Sequence, residues 1–304
     1  MDEPEWRKKK IRVKIDRDWR KNRWGLKVLR QMTYEWQWRI CCARMTLGYL
    51  DYEGWNLRKP RDGMIPTHYP QWTGTGKLLV LGEQGIGDEI MFAGAFVHLP
   101  PCTIECEPRL AELFARTFPQ HTFIARVDLN DSSWDEGHDA QLLMGDLARL
   151  YWTTPDKFPK KPYIKPLPEK VAYWKAVLPA HPVGIVFHGR QGDIDPEKLH
   201  VEGAVSLQYG NVHHPDWAFV PDINLMDDIE DIFAITSVLT RLVGIPNSNM
   251  HFASSLGIPC EVILTPKKGE IFNALQWRWG LKEKTPWVPT ARVYQNYNAY
   301  LREL

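Results

Sequence analysis

The stretch LVLGEQGIGDEIMF, Leu79 to Phe92, runs an apolar segment into a turn with glycines at 82, 85 and 87, then places Asp88 and Glu89 ahead of a helical pattern. Glycines let the backbone come close to a ligand, and the helix N-terminus that follows favours an anion. Gln84, Gly85 and Gly87 are therefore candidates for cradling a phosphate. The spacing is neither the GxxxxGK[ST] of a P-loop nor the GxGxxG of dinucleotide binders. Asp88 by itself also reads as the N-cap of its helix, since Asp is a preferred cap. A second candidate lies in PNSNMHFASSLG, where Asn247, Ser248 and Asn249 at a helix start suit a diphosphate.

Other combinations are set aside. GDID (Gly192 to Asp195) contains a DxD, but it follows the wrong strand pattern for a metal site. His213 and His214 next to Asp216 lie without helical spacing and read as a solvated turn. The tryptophans of WRW, Trp277 and Trp279, are expected to pack the C-terminal segment onto the body. Five cysteines (41, 42, 102, 106 and 260) form no zinc spacing, and their odd number argues against a disulfide framework, so they read as reduced.

These residues need elements to position them. From Lys77 the chain alternates strand and helix: LLVL, a helix over Glu89 to His98, CTIEC, a helix over Pro108 to Thr117, TFIARV, HDAQLLM and DLARLYW. A segment rich in proline and lysine, Asp156 to Lys170, reads as a linker. A second series follows with PVGIVFHG, AVSLQYG, a helix over Asp228 to Thr240 (Asp227 and Asp228 as its caps), RLVGIP, HFASSLG and CEVILTP. Such alternation predicts parallel sheets with helices on both faces, here two Rossmann-like halves facing across a cleft. Ligands bind such sheets outside the carboxyl ends of the strands. The expected divisions are a basic arm and connector over 1–74, a Rossmann-like acceptor domain over 75–166 and a Rossmann-like donor domain over 167–304.

At 304 residues the chain is long enough for two cores, and 44% hydrophobic with 25% charged residues is an ordinary globular balance. No apolar run reaches the roughly 18 residues of a membrane span. The charged N-terminus argues against a secretory signal and makes the cytoplasm the expected compartment, the host's if the source is viral. Net charge is +1, yet residues 1 to 30 carry twelve Lys or Arg against five acids, which leaves 26 basic against 32 acidic residues elsewhere. A basic arm on an acidic body attracts polyanions. Lys8, Lys9, Lys10, Arg12, Lys14, Arg20, Lys21 and Arg23, interleaved with Trp6, Trp19 and Trp24, are the candidate nucleic-acid contacts.

EQGIGDEIMF resembles the EQGxGDxIxF signature of glycosyltransferase-9-like proteins, relatives of the lipopolysaccharide heptosyltransferases that often follow tetratricopeptide repeats. The resemblance continues in order through YEWQWR (34–39), HYPQW (68–72), TIECEPRLAELF, SLQYG (206–210), MHFASSLGIPCEVIL, QWRWG and TPWVPTARVYQ, about residues 33 to 296. It implies a GT-B type α/β fold and an inverting, metal-independent transfer of a sugar from a nucleotide-sugar donor to a hydroxyl, with no cofactor besides that co-substrate. Asp88 falls on the family's proposed catalytic base and His251 on its donor-site histidine, which the residues alone would read as a packed core histidine. Asn247 stands at a family Thr and Pro246 at a family Asp, two departures from the pattern. The resemblance adds Glu83 as a second acid in the cleft and makes Glu89 only a first-turn residue. His188, Gly189 and Arg190 fall at a WxGN-like turn, where Arg190 would meet the leaving diphosphate. Gln208 and the loop Thr265 to Lys268 are weaker donor contacts.

The basic arm ranks a hydroxymethylated base in phage-type DNA as acceptor just ahead of lipopolysaccharide or another glycan. A base would have to be drawn out of the duplex to reach the cleft. The departures at Pro246 and Asn247 keep open a third reading, a non-catalytic sugar-nucleotide or nucleic-acid binding module.

Overall fold

The computed structural model describes residues 41–45, 49–50, 52, 69–126, 137–189, 192–199, 201–210, 212–265 and 276–303. The basic-arm candidates Lys8, Lys9, Lys10, Arg12, Lys14, Arg20, Lys21 and Arg23 lie outside these residues, as do YEWQWR, Arg190 and positions 266–268.

Leu78–Leu81 (β1), Thr103–Cys106 (β2), Thr122–Ala125 (β3) and Ala140–Leu143 (β4) form a parallel sheet in the order β3-β2-β1-β4. β1 is buried along its whole length, which is why LLVL reads as an unbroken apolar run rather than an alternation. Residues 70–72 run beside β4, with Trp72 N–H donating to Gln141 O at 2.8 Å. The helices of this half are Ile86–Ala93 (α1), Ala111–Thr117 (α2) and Asp146–Tyr151 (α3).

The second half opens with Pro168–Val177 (α4) and Val183–Val186 (β5). His188–Gly189 (β6) and Gly192–Asp193 (β7) then make a small antiparallel ribbon. Ala204–Ser206 (β8), Ile229–Val238 (α5), Arg241–Gly244 (β9), Ser248–Ser255 (α6), Cys260–Ile263 (β10), Ala291–Tyr294 (β11) and Tyr297–Leu301 (α7) complete it. The five-stranded sheet is parallel in the order β11-β10-β9-β5-β8. In both sheets the build reverses direction once, between β1 and β4 and between β5 and β9, and such reversals open a crevice at the strands' carboxyl ends. The turn after β1 and the segment after β9 are the two stretches singled out in the sequence.

The α/β class and parallel pairing are as expected, with local differences. The helix expected over Glu89 to His98 starts earlier, at Ile86, and ends at Ala93 with Gly94 as its C-cap, followed by a 3-10 turn over Phe96–His98. A side chain at Gly94 would lie 2.5 Å from Pro159 Cγ, so the proline-rich segment closes over the helix end. That segment is packed structure rather than a free linker. Tyr163 N–H donates to Ser255 O at 2.9 Å, and Phe158 is buried between Trp152 and Trp287, at ring distances of 4.9 and 5.1 Å. β11, hidden in TPWVPTARVYQ, forms the edge of the second sheet.

The cores are not separate. One continuous set of buried apolar residues runs from Leu78, Ile90 and Phe114 through Trp152 and Phe158 to Phe233, Phe252, Trp277 and Trp287, and a smaller set covers the outer face of the second sheet. The helices α1 and α6 bridge the halves. Among the described residues, no helix is long and apolar enough to cross a membrane.

Candidate functional site

The glycine turn is built from beneath by buried acids. Gly82 N–H donates to Glu105 Oε2 at 2.7 Å, Glu83 N–H to Glu89 Oε1 at 3.1 Å, and Glu107 N–H to Glu89 Oε2 at 2.7 Å. Arg126 pairs with Glu89, lies 3.4 Å from Glu105, and donates to Glu83 O at 3.0 Å. A side chain at Gly82 would meet Glu89 Oε1 at 2.8 Å and an Arg126 nitrogen at 2.9 Å, so the first glycine is required by close approach. Burial pushes the Glu89 carboxyl up to about 8, against the pull of Arg126. Glu89 is thus the post that holds the turn, more than a first-turn residue. Glu83 is buried and accepts from Gly145 N–H at 2.7 Å, which ties it to the start of α3.

Asp88 does not cap its helix. The N-cap of α1 is Gly85, and no side chain takes a hydrogen bond there. The cap reading falls because α1 starts two residues before Asp88. Its carboxylate, partly exposed, pairs instead with Arg278 through Oδ1. The α6 end is different: Asn247 is a true N-cap, its Oδ1 accepting from Asn249 N–H at 3.0 Å. Asn249 is buried and donates from Nδ2 to Leu207 O at 2.9 Å. The start of α5 departs similarly: Asp228 is at the N-cap position but accepts from Asn224 N–H at 2.8 Å instead of capping.

The two helix starts touch. A Cβ on Gly87 would lie 3.0 Å from His251 Cδ2 and 3.1 Å from Ser248 Cα. His251 is buried, its ring 5.4 Å from that of Trp279. Burial, aided by the Arg278 charge and opposed by Asp88, lowers it to about 4, so the imidazole is neutral at pH 7. Asn247 Nδ2, His251 Nδ1 and Arg278 Nε are buried and make no hydrogen bond among the described residues. Beside this contact lies a cavity of about 180 Å³ lined by Ile86 and Arg109 from one half and Tyr209, Met226, Ser248 and Asn249 from the other. Arg109 donates across it to Met226 O at 2.6 Å, and Arg116 reaches Glu230 Oε2 at 2.6 Å.

The structure brings Gly85, Gly87, Asp88, Asn247, Ser248, Asn249 and His251 together. Gln208 sits close by, but its side chain is committed: Oε1 accepts from Phe187 and His188 N–H at 3.0 and 2.8 Å, and Nε2 donates to Tyr209 O at 3.0 Å. It is a brace for the turn after β5. His188 is exposed and lies 2.5 Å from Asp193 Oδ1, while Gly189 backs onto Ile245 and Pro246. Asp195 caps a 3-10 turn by accepting from Glu197 N–H at 3.2 Å, and His214 Nδ1 meets Ser206 Oγ at 2.8 Å. Among the described residues no group of three or more His, Cys, Asp or Glu is placed to hold a metal ion. The five cysteines are free. Arg278 is the residue that sequence reasoning missed. Its signal was the Arg between the two tryptophans of QWRWG, which do pack, Trp277 against Trp287 with ring centroids 4.6 Å apart.

No family model matches the chain. Protein FlbA of Caulobacter vibrioides is 26% identical over 300 residues, covering 80% of this chain and 49% of its own length. Similar solved structures include the E. coli ADP-heptose lipopolysaccharide heptosyltransferase II, at 13% identity over 72% of this chain and 90% of that one, with a TM-score of 0.46. A glycosyl transferase family 9 protein from Veillonella parvula covers 75% and 91% at 11% identity and a TM-score of 0.46. The iron-containing dodecameric glycosyltransferase TibC from enterotoxigenic E. coli covers 67% and 62% at 15% identity and a TM-score of 0.43. The chain therefore spans about half the length of the curated relative it matches.

Proposed function

We propose that the chain is an inverting glycosyltransferase in which Asp88 removes the proton of an acceptor hydroxyl as a sugar leaves a nucleoside diphosphate. The observation that carries this reading is the meeting of two helix starts, α1, which has no side-chain cap and holds Asp88, and α6, where Asn247 Nδ2 and His251 Nδ1 are buried without a hydrogen-bond partner among the described residues. Buried polar groups without partners are costly and rare, and a cluster at two helix starts suits an anion.

In the proposed step the acceptor oxygen bonds the anomeric carbon from the face opposite the diphosphate. Its proton passes to Asp88, and the bond from carbon to phosphate oxygen breaks with its electron pair leaving on the nucleotide. One base suffices, no protein nucleophile is needed, and the configuration inverts. The neutral His251 adds no charge. Nitrogen donors at Gln84 to Gly87, Asn247 and Ser248, with Arg190, take the diphosphate charge, so departure proceeds without a metal, while Asn249 is held by Asn247 Oδ1 and Leu207 O and braces the α6 start. We assign the acceptor side to residues 75–166 and the donor side to 167–304. The cavity of about 180 Å³ is smaller than the roughly 300–1,000 Å³ of ordinary ligand pockets and would take only part of a nucleotide sugar.

The charge of residues 1 to 30 favours a polyanionic acceptor. A hydroxymethylated base in DNA is the finer reading and rests on that charge alone; a phosphorylated glycan is the second. The test is transfer of label from a panel of nucleotide sugars to hydroxymethylcytosine DNA, unmodified DNA and lipopolysaccharide core, with and without chelator. Asp88→Asn is expected to lower transfer about 100- to 10,000-fold with donor affinity nearly unchanged. Full activity in that variant sinks the mechanism, and no transfer from any donor returns the site to the binding-module reading suggested by Pro246 and Asn247.

A further inference from the structure

Arg278 belongs to the C-terminal segment, 190 residues along the chain from Asp88, and yet it makes the ion pair to the candidate base. Its guanidinium lies over the Trp277 ring at 4.4 Å, its backbone carbonyl accepts from the Thr285 hydroxyl, and its charge bears on His251 and Cys42. The side chain is 12% exposed against 22% for Asp88. Nε is buried without a partner. For stability alone this is a poor arrangement, since a buried charge with a donor left unspent is commonly matched or bettered by an apolar residue of similar volume. Two tryptophans already anchor the segment.

We propose that Arg278 is a positioning residue for Asp88: it holds Oδ1 from the far half of the molecule and so fixes where Oδ2 stands to meet the acceptor hydroxyl. Oδ2, the oxygen left to take the acceptor proton, lies 3.5 Å from where a side chain on Gly85 would begin. Arg278 takes no proton and touches no reacting atom. The stretch from Trp277 to Trp287 therefore completes the site as well as closing the core, and the base is aimed only while that stretch is docked. This inference rests on the reading of Asp88 as the base.

The test uses the full chain with Arg278→Met, Arg278→Lys, Asp88→Asn and the Asp88→Asn/Arg278→Met double variant. With the best donor and acceptor from the transfer panel, Arg278→Met is expected to lower kcat up to about 100-fold, the effect of a small misplacement of a reacting group. KM for the donor should stay within about threefold, Arg278→Lys should recover part of the loss, and the double variant should be no worse than Asp88→Asn. A merely structural arginine would move stability without this split. An unchanged kcat in Arg278→Met, or losses that multiply in the double variant, overturns the inference. The same four proteins are unfolded in urea in parallel. If wild type transfers nothing, the glycosyltransferase reading has failed, while the unfolding cycle still decides the contact: non-additive midpoints support the hold on Asp88, and additive midpoints overturn it. Should Arg278→Met fail to fold, the Arg278→Lys comparison carries both readouts.

Discussion

His251 sits in an environment that departs clearly from what its type suggests. Lowered from 6.5 to about 4 by burial, it binds fewer protons in the folded protein than in the unfolded chain between those values. The sign follows from linkage: its contribution is complete above about pH 6.5 and is lost as pH falls through about 4. At roughly 1.4 kcal/mol per unit the loss is about 3 kcal/mol. His251→Gln is expected to flatten the acid-side decline, read as the difference in urea midpoints between wild type and variant from pH 7 to pH 4. Parallel midpoint curves would show that the histidine is not held neutral. The residue type, its place at a helix start and the match to a family histidine were legible in the sequence. Its neutrality was not, because that depends on Trp279 and on the charge of Arg278, both far along the chain.

Between elements, the contact of α1 with α6 decides the geometry of the site, and Gly87 sets how near they come. A methyl at Gly87 would sit 3.0 Å from His251 Cδ2 and 3.1 Å from Ser248 Cα, the second an atom of main chain that cannot turn aside. Gly87→Ala should cost about 1–3 kcal/mol, as overpacking does, and reduce transfer more than Gly85→Ala, where the new methyl would meet only Asp88 Oδ2 at 3.5 Å. Chemical denaturation and transfer assays on the two variants check this, and equal effects would remove the special role of Gly87. Most elements could be read from their apolar patterns, the unbroken runs of LLVL and VGIV above all. The strand β11 could not, because ARVY lies directly after a proline turn and is too short to show a period. Nor could the end of α1 at Ala93, where Pro159 from another part of the chain packs against Gly94.

Over the whole molecule, one apolar core passes through both sheets, and Trp152, Phe158 and Trp287 join the first half, the proline-rich segment and the C-terminal stretch. The two halves are therefore expected to unfold together, with tryptophan fluorescence and far-ultraviolet circular dichroism changing at the same urea concentration. Two separated transitions would mean that the shared core does not couple them.

The sequence by itself determined the α/β alternation, the glycine turn that begins a helix, the asparagine-rich start of α6 and the basic charge of residues 1 to 30, because each is written in neighbours a few residues apart. Only the tertiary structure decided that Asp88 leaves its helix uncapped and faces Arg278, that Glu89 and Glu83 are buried supports, that Gln208 is a brace, and that the linker is part of the core. The physical reason is common to all four. A carboxylate, an amide or a proline takes its role from what desolvates it and what donates to it, and in a parallel α/β fold those partners arrive from strands and turns far apart in the chain.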